Sequence, residues 1–189
     1  MRLRRFAAVV CIVLATLTVQ ALAMSFVLFP KAGRLASPDG RFEVRDADRP
    51  GASGDFVGSF RSLWVVDLSS GSSRKLCDYM GVAAVGWSGN DYLVVTQYVG
   101  KKTSRALVFP MVAAHDPLLI DESTLQKAVP VELRETLRAN DHVFVEASRL
   151  ENGRFYFRTW GYGQHDKNGF RWNCEYTLLE EKLTCDASH

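Results

Sequence analysis

The chain has 189 residues, 47% hydrophobic and 23% charged, which suits one folded domain and excludes a disordered polypeptide. Its formal charge of +2 misleads, because Arg2, Arg4 and Arg5 all precede the body of the protein. Without residues 1–23 there are 20 basic and 21 acidic side chains, a net of −1, so the body carries no electrostatic footprint for nucleic acid.

The N-terminus places three arginines before an almost wholly apolar run, Phe6 to Val19, and then the small residues of Gln20-Ala21-Leu22-Ala23. Basic, apolar and small, in that order, is the pattern of a secretory signal peptide, with cleavage expected after Ala23. Apolarity resumes at Met24 and lasts to Phe29. Residues 6–29 therefore also suffice for a membrane anchor, which needs roughly 20 apolar residues. Both readings place the domain outside the cytoplasm, in the periplasm or on the outer face of the inner membrane, because the arginines stay inside. Cys11 lacks the residues that would precede it in a lipoprotein signal. Residues 24–36 read as a linker, and 37–189 as a single β domain.

Ser37-Pro38-Asp39-Gly40 is a turn signal: proline presets the turn and glycine accepts a positive φ. Arg41 to Arg45 alternates as a strand, and residues 46–61, with Pro50 and three glycines, read as a long loop. Ser62 to Leu68 is the strongest strand. Ser69-Ser70-Gly71-Ser72 turns the chain into Arg74 to Cys77, and Val82–Gly86, Tyr92–Tyr98 and Arg105–Phe109 are further strands. A short helical insertion is expected at about 123–140. Ser123 and Gln126 fit a capping box, Pro130 suits the first position of a second helical stretch, Leu133 and Leu137 share a face, and Asn140 ends it. His142–Leu150 and Arg154–Tyr162 flank Asn152-Gly153, a strong hairpin signal. Gly161 to Gly169 forms a glycine-bounded loop before a final hairpin.

Three cysteines follow the leader: Cys77, Cys174 and Cys185. Outside the cytoplasm at least one pair is expected to be oxidised. In a hairpin centred between Leu179 and Glu180, Cys174 and Cys185 fall opposite each other, close enough for a bridge in the narrow pairing. Cys77 is then the odd thiol, buried in the body, though a bridge from it to either partner stays open.

Three stretches resemble one another: Asp39-Gly40-Arg41-Phe42, Asn152-Gly153-Arg154-Phe155, and Gly89-Asn90-Asp91-Tyr92-Leu93. Each would open a meander of strands. Ser37-Pro38-Asp39-Gly40-Arg41, Leu63-Trp64-Val65-Val66-Asp67-Leu68-Ser69-Ser70-Gly71 and Val85-Gly86-Trp87-Ser88 resemble the blade repeat of TolB-type β-propellers over about residues 35–95. The resemblance implies four-stranded antiparallel blades and a role in binding proteins or envelope components. Closed propellers take 4–8 blades, and this chain supplies about three. The expected fold is mostly β, with blade-like meander sheets that are incomplete or open.

No motif carries chemistry. Ser72-Ser73-Arg74-Lys75 spells Ser-x-x-Lys, but it enters a strand, where serine and lysine do not share a helical turn. Asp46, Asp48 and Asp55 lack the ligand spacing of a calcium loop. His115, His142 and His165 each adjoin an aspartate, yet neighbours in a strand point to opposite faces, so they are not expected to pair. Catalytic residues, metal ligands and cofactors are accordingly not assigned. The binding candidates are Trp160, Tyr162, His165 and Asp166, where aromatics adjoin a polar loop; Tyr156, Arg158, Trp160 and Tyr162 should share one strand face, expected to be half core. The reading is a non-catalytic binding protein of the bacterial envelope that meets a protein partner through loops, in the manner of an inhibitor or immunity factor. An anchored structural subunit of an envelope complex and a small hydrolase are the alternatives.

Overall fold

The computed structural model describes residues 24–48, 60–111, 116–163, 165 and 168–187. They are mostly β: three antiparallel sheets, none closed into a barrel. The short strand β1 (Val27–Phe29) comes first. The first sheet follows, with β2 (Arg34–Ala36), β3 (Phe42–Asp48), β4 (Phe60–Asp67) and β5 (Ser73–Met80) in spatial order. The middle sheet holds β6 (Ala83–Ser88), β7 (Tyr92–Tyr98), β8 (Ser104–Pro110) and β9 (Leu118–Ile120), with β1 added beside β6. Two short helices, α1 (Glu122–Ala128) and α2 (Val131–Arg138), lead into the third sheet. That sheet is β10 (His142–Glu151), β11 (Arg154–Tyr162), β12 (Phe170–Thr177) and β13 (Lys182–Ala187).

The middle sheet is covered on both faces, and residue parity says by what. Odd positions Val85, Trp87, Leu93, Val95, Leu107 and Phe109 join Phe42, Val44, Leu63, Val65 and Tyr79 of the first sheet in one core. Even positions Val94, Ala106 and Val108 join Val143, Val145, Phe155, Phe157 and Trp172 of the third sheet in a second core. Successive side chains point to opposite faces of a strand, so a run such as Leu93-Val94-Val95 is wholly buried. This is why β7 is buried without a break from Leu93 to Gln97 whereas β11 alternates. Burying each such side chain stabilises the fold by about 1.5–3 kcal/mol before entropy is counted.

Polar groups fasten the outer sheets to the middle one. On the third sheet's side, Val143 N–H donates to the Lys102 carbonyl at 3.0 Å and Val145 N–H to Ser104 Oγ at 2.9 Å. Ser104 in turn donates to the Val145 carbonyl, and Ala147 N–H donates to Thr96 Oγ1 at 2.9 Å. The edge of β10 is thus satisfied by groups on the middle sheet, as a buried backbone requires. On the first sheet's side, the Gln97 amide donates to the Asp78 carbonyl.

The three similar sequence stretches each join the first and second of four consecutive strands: β2 to β3, β6 to β7, and β10 to β11. The first two meet, since Asp39 N–H donates to Asn90 Oδ1 at 3.0 Å. In the third, Asn152 and Gly153 both take positive φ, 50° and 71°, as a two-residue turn matched to strand twist demands. Cys174 and Cys185 are partners in the β12–β13 register and form a disulfide, with Cα atoms 4.1 Å apart. Cys77 is free and half-buried.

Several expectations need correction. Residues 24–36 are not a linker, because they supply two strands and Phe29 is fully buried. The described end of the 6–29 stretch is sheet from Val27 on, and residues 1–23 lie outside the described residues. The expected loop at 46–61 is strand at both ends, since β3 runs on to Asp48 and β4 begins at Phe60; residues 49–59 lie outside the described residues. The first helix is capped by Asp121, which accepts from Thr124 N–H, and not by Ser123; Pro130 is the cap of α2 and not its first residue. Leu133 and Leu137 do share a face and pack on the second core. Among the described residues no helix is long and apolar enough to cross a membrane.

Candidate functional site

In β11 the inward residues Phe155, Phe157 and Thr159 are buried, while Tyr156, Arg158, Trp160 and Tyr162 point away from the middle sheet. From β10, His142, Phe144 and Glu146 stand on the same outward face, opposite Tyr162, Trp160 and Arg158. The rings are stacked across the strands. His142 and Tyr162 lie 4.4 Å apart at 13°, and Phe144 and Trp160 lie 4.2 Å apart at 18°. Trp160 and Tyr162 follow one another along β11 at 6.0 Å, and Phe144 and Tyr162 are diagonal across the two strands at 6.1 Å. The result is a rigid two-by-two block, each stacked pair adding about 0.5–1.5 kcal/mol beyond its burial. The face points away from the middle sheet and is half-buried: Tyr156 and Trp160 are partly covered, Arg158 is exposed, and Phe144 is only 6% exposed because Trp160, Tyr162 and Tyr98 crowd it. Tyr162 is 46% exposed.

One end of the block is charged. Asp141 Oδ1 lies 2.8 Å from His142 Nδ1, and Asp141 Oδ2 accepts from Lys102 Nζ at 3.0 Å. Lys102, then His142, hold the Asp141 carboxyl down at about 2. Here the strand argument against adjacent histidine–aspartate pairs fails: Asp141 precedes β10, so alternation does not govern it. Glycines close the backbone around this end. A β-carbon on Gly161 would strike the Phe170 ring and lie 2.7 Å from the His142 carbonyl, and one on Gly163 would lie 2.8 Å from the Asp141 nitrogen. His165 is exposed beyond them, and Asp166 lies outside the described residues.

The outward face continues along the strands as ion pairs. Arg158 lies 3.6 Å from Glu146, Arg154 donates to Glu175 at 2.9 Å, and Arg149 stacks over Tyr156 at 4.0 Å. A register shift between Ala147 and Arg149 lets Arg149 and Glu151 stay outward while Leu150 turns in. Such a shift is the ordinary use of a β-bulge, which re-aims side chains.

A second feature adjoins the block through Tyr98 and Glu146. It is an apolar groove of about 550 Å³ on the part of the middle sheet's even face that the third sheet leaves uncovered. Its floor is the cross-strand row Leu28, Ala84 and Thr96. Burial, and then the Glu146 carboxylate, push the Tyr98 hydroxyl's pKa up.

The other candidates resolve as structure. Asp46 accepts from Arg61 and, at 3.0 Å, from the Tyr79 hydroxyl, while Asp48 pairs with Arg61; Asp55 lies outside the described residues. Among the described residues no group of three or more histidine, cysteine or acidic side chains could hold a metal. Burial pushes the Cys77 thiol up to about 12, which makes it a poor nucleophile. No protein-family model matches the chain, and no curated protein or solved structure matches it either.

Proposed function

We propose that this is an exported binding protein of the bacterial envelope, which holds a protein partner on the outward face of its third sheet and beside His165. The observation that carries the reading is the block of His142, Phe144, Trp160 and Tyr162. Stacked rings lose little freedom on binding, and large aromatics with one exposed edge are the usual anchors of protein interfaces. The paired charges around them suit a polar rim. The three meanders support the TolB-type blade resemblance as an account of the scaffold, which informs fold and carries no chemistry. An inhibitor or immunity factor is the form of binding protein that this scaffold suits.

The test is photo-crosslinking from position 162 in the envelope of cells exporting the full chain. The reading expects one dominant adduct, lost in Trp160→Ala and kept in Leu179→Ser, a hairpin-tip change at a residue 95% exposed. Adducts indifferent to Trp160→Ala would refute it. The Asp141–His142 pair favours a second reading, a small hydrolase. That reading requires His142→Ala to abolish a turnover while leaving the crosslink intact.

A further inference from the structure

We infer that the partner presents a carboxylate to Arg171, so that the third sheet recognises an acidic segment laid across its aromatic block. The inference rests on the reading that a protein partner covers this face, and it names the chemistry that partner must bring. Arg149 on this face pairs with Glu151 at 2.9 Å, Arg154 with Glu175 at 2.9 Å and Arg158 with Glu146 at 3.6 Å. Arg171 on β12 shares the face and is exposed, but it makes no ion pair among the described residues. Asp186 on β13 does not answer it, since Asp186 stands opposite Asn173.

An exposed guanidinium needs no partner while water solvates it. Its position decides what happens once the face is covered. Arg171 faces Trp160 in the β11–β12 register, and directly opposed side chains have β-carbons only about 5 Å apart. Because β12 is an interior strand of its sheet, a surface laid on Trp160 and Tyr162 also closes over Arg171. A guanidinium covered without an opposite charge loses its hydration and gains nothing in exchange. The other three arginines bring their own carboxylates, whereas Arg171 must receive one. The sheet also leaves room for it. The place opposite Tyr162 falls to Gly169, next in register after the Gly161–Phe170 pair. A β-carbon there would lie 2.2 Å from the Gly161 carbonyl oxygen, and φ is +64°, so no side chain can fill the spot. The Tyr162 ring, 46% exposed, thus has no side chain directly opposite it on β12, and an acidic side chain can reach in beside Arg171. A carboxylate held there accepts two parallel hydrogen bonds from the guanidinium, a geometry that a lysine ammonium does not offer.

The experiment places a benzophenone amino acid at position 162 of the full exported chain and compares adduct yields in the envelope. The expected result is a Trp160-dependent adduct that falls at least about tenfold in Arg171→Gln and Arg171→Glu, as loss of a covered charge pair predicts, and falls less in Arg171→Lys. Lys182→Gln removes the same charge at the far end of the face, opposite Thr177, and should leave the yield unchanged. Peptide mass spectrometry should find an aspartate or glutamate of the partner within a few residues of the link. Replacing that acid with lysine should restore the adduct in Arg171→Glu. Retained Cys174–Cys185 bridging with unchanged near-ultraviolet dichroism shows that each variant is folded. An adduct lost in Trp160→Ala but equal in folded Arg171→Gln, or one on a segment without an acid, overturns this inference and leaves the wider reading standing. Adducts indifferent to both substitutions overturn both.

Discussion

The first and third sheets both lay one face of a four-stranded meander on the middle sheet, and they differ in what they show to the outside. Outward on the first are Glu43 and Arg45, ion-paired, beside Trp64 and Val66. Outward on the third are four stacked rings and a row of ion pairs. Their inward faces also differ in how they stay fixed: the first encloses Asp46, Arg61 and Tyr79, whereas the third is bolted by hydroxyls and closed by a disulfide. Similar sheets thus separate two jobs. The inward faces hold the fold, and the outward face of the third is the one we propose meets a partner.

The sharpest way to break that division is within β11. Phe157→Ala should cost about 3–5 kcal/mol in urea denaturation, as truncation of a buried aromatic does. Trp160→Ala, three positions on, should cost clearly less, because its ring is only half-buried and packs on the outward face. Equal losses would make both faces core and end the distinction. Next comes the disulfide. Replacing Cys174 and Cys185 with serine opens a loop with a sequence separation of 11, and should cost about 3 kcal/mol. Cys77→Ser in the first sheet should be far milder at neutral pH, and comparison of the two midpoints checks this.

Ser104→Ala tests the bolts. It strands the Val145 N–H in the interior, and should cost about 1–3 kcal/mol without altering partner crosslinking from position 162. A further difference between the sheets should show only in alkali. Folding raises the Cys77 pKa from 9.0 to about 12. Between those values the folded chain keeps a proton that the unfolded chain releases, so stability present below about pH 9 is lost as pH rises toward 12. Urea midpoints measured across that range should fall less steeply in Cys77→Ala, and identical slopes would place the thiol in water.

Much of the scaffold was legible because its signals are local. Asn152-Gly153 defined a hairpin, the parity of β11 defined its faces, and the spacing about Leu179 and Glu180 set Cys174 against Cys185. The aromatic block was only half legible. A two-residue turn pairs Glu151 with Arg154, and that register carried onward would set Trp160 against Val145. The bulge between Ala147 and Arg149 shifts the pairing by one, so Trp160 meets Phe144 instead. Nothing in the residues at 147–149 announces such a shift. β1 was missed because three residues offer too little periodicity, and because its partner β6 lies more than fifty positions away.

The pairing of β1 with β6 also sets how the molecule can be dissected. Phe29 and Ala83 face each other across the ladder, so the chain leaves a position and returns beside it after residues 30–82. In connectivity the first sheet is an excursion from what would otherwise be a hairpin. Splicing Phe29 to Ala83 through a short turn would give a continuous two-layer protein, with Phe29, Ala83, Val85, Trp87, Leu93, Val95, Leu107 and Phe109 newly open to solvent. Such a miniature would need that face recoloured with polar residues, and it would keep the aromatic block, the disulfide and the hydroxyl bolts in one uninterrupted stretch.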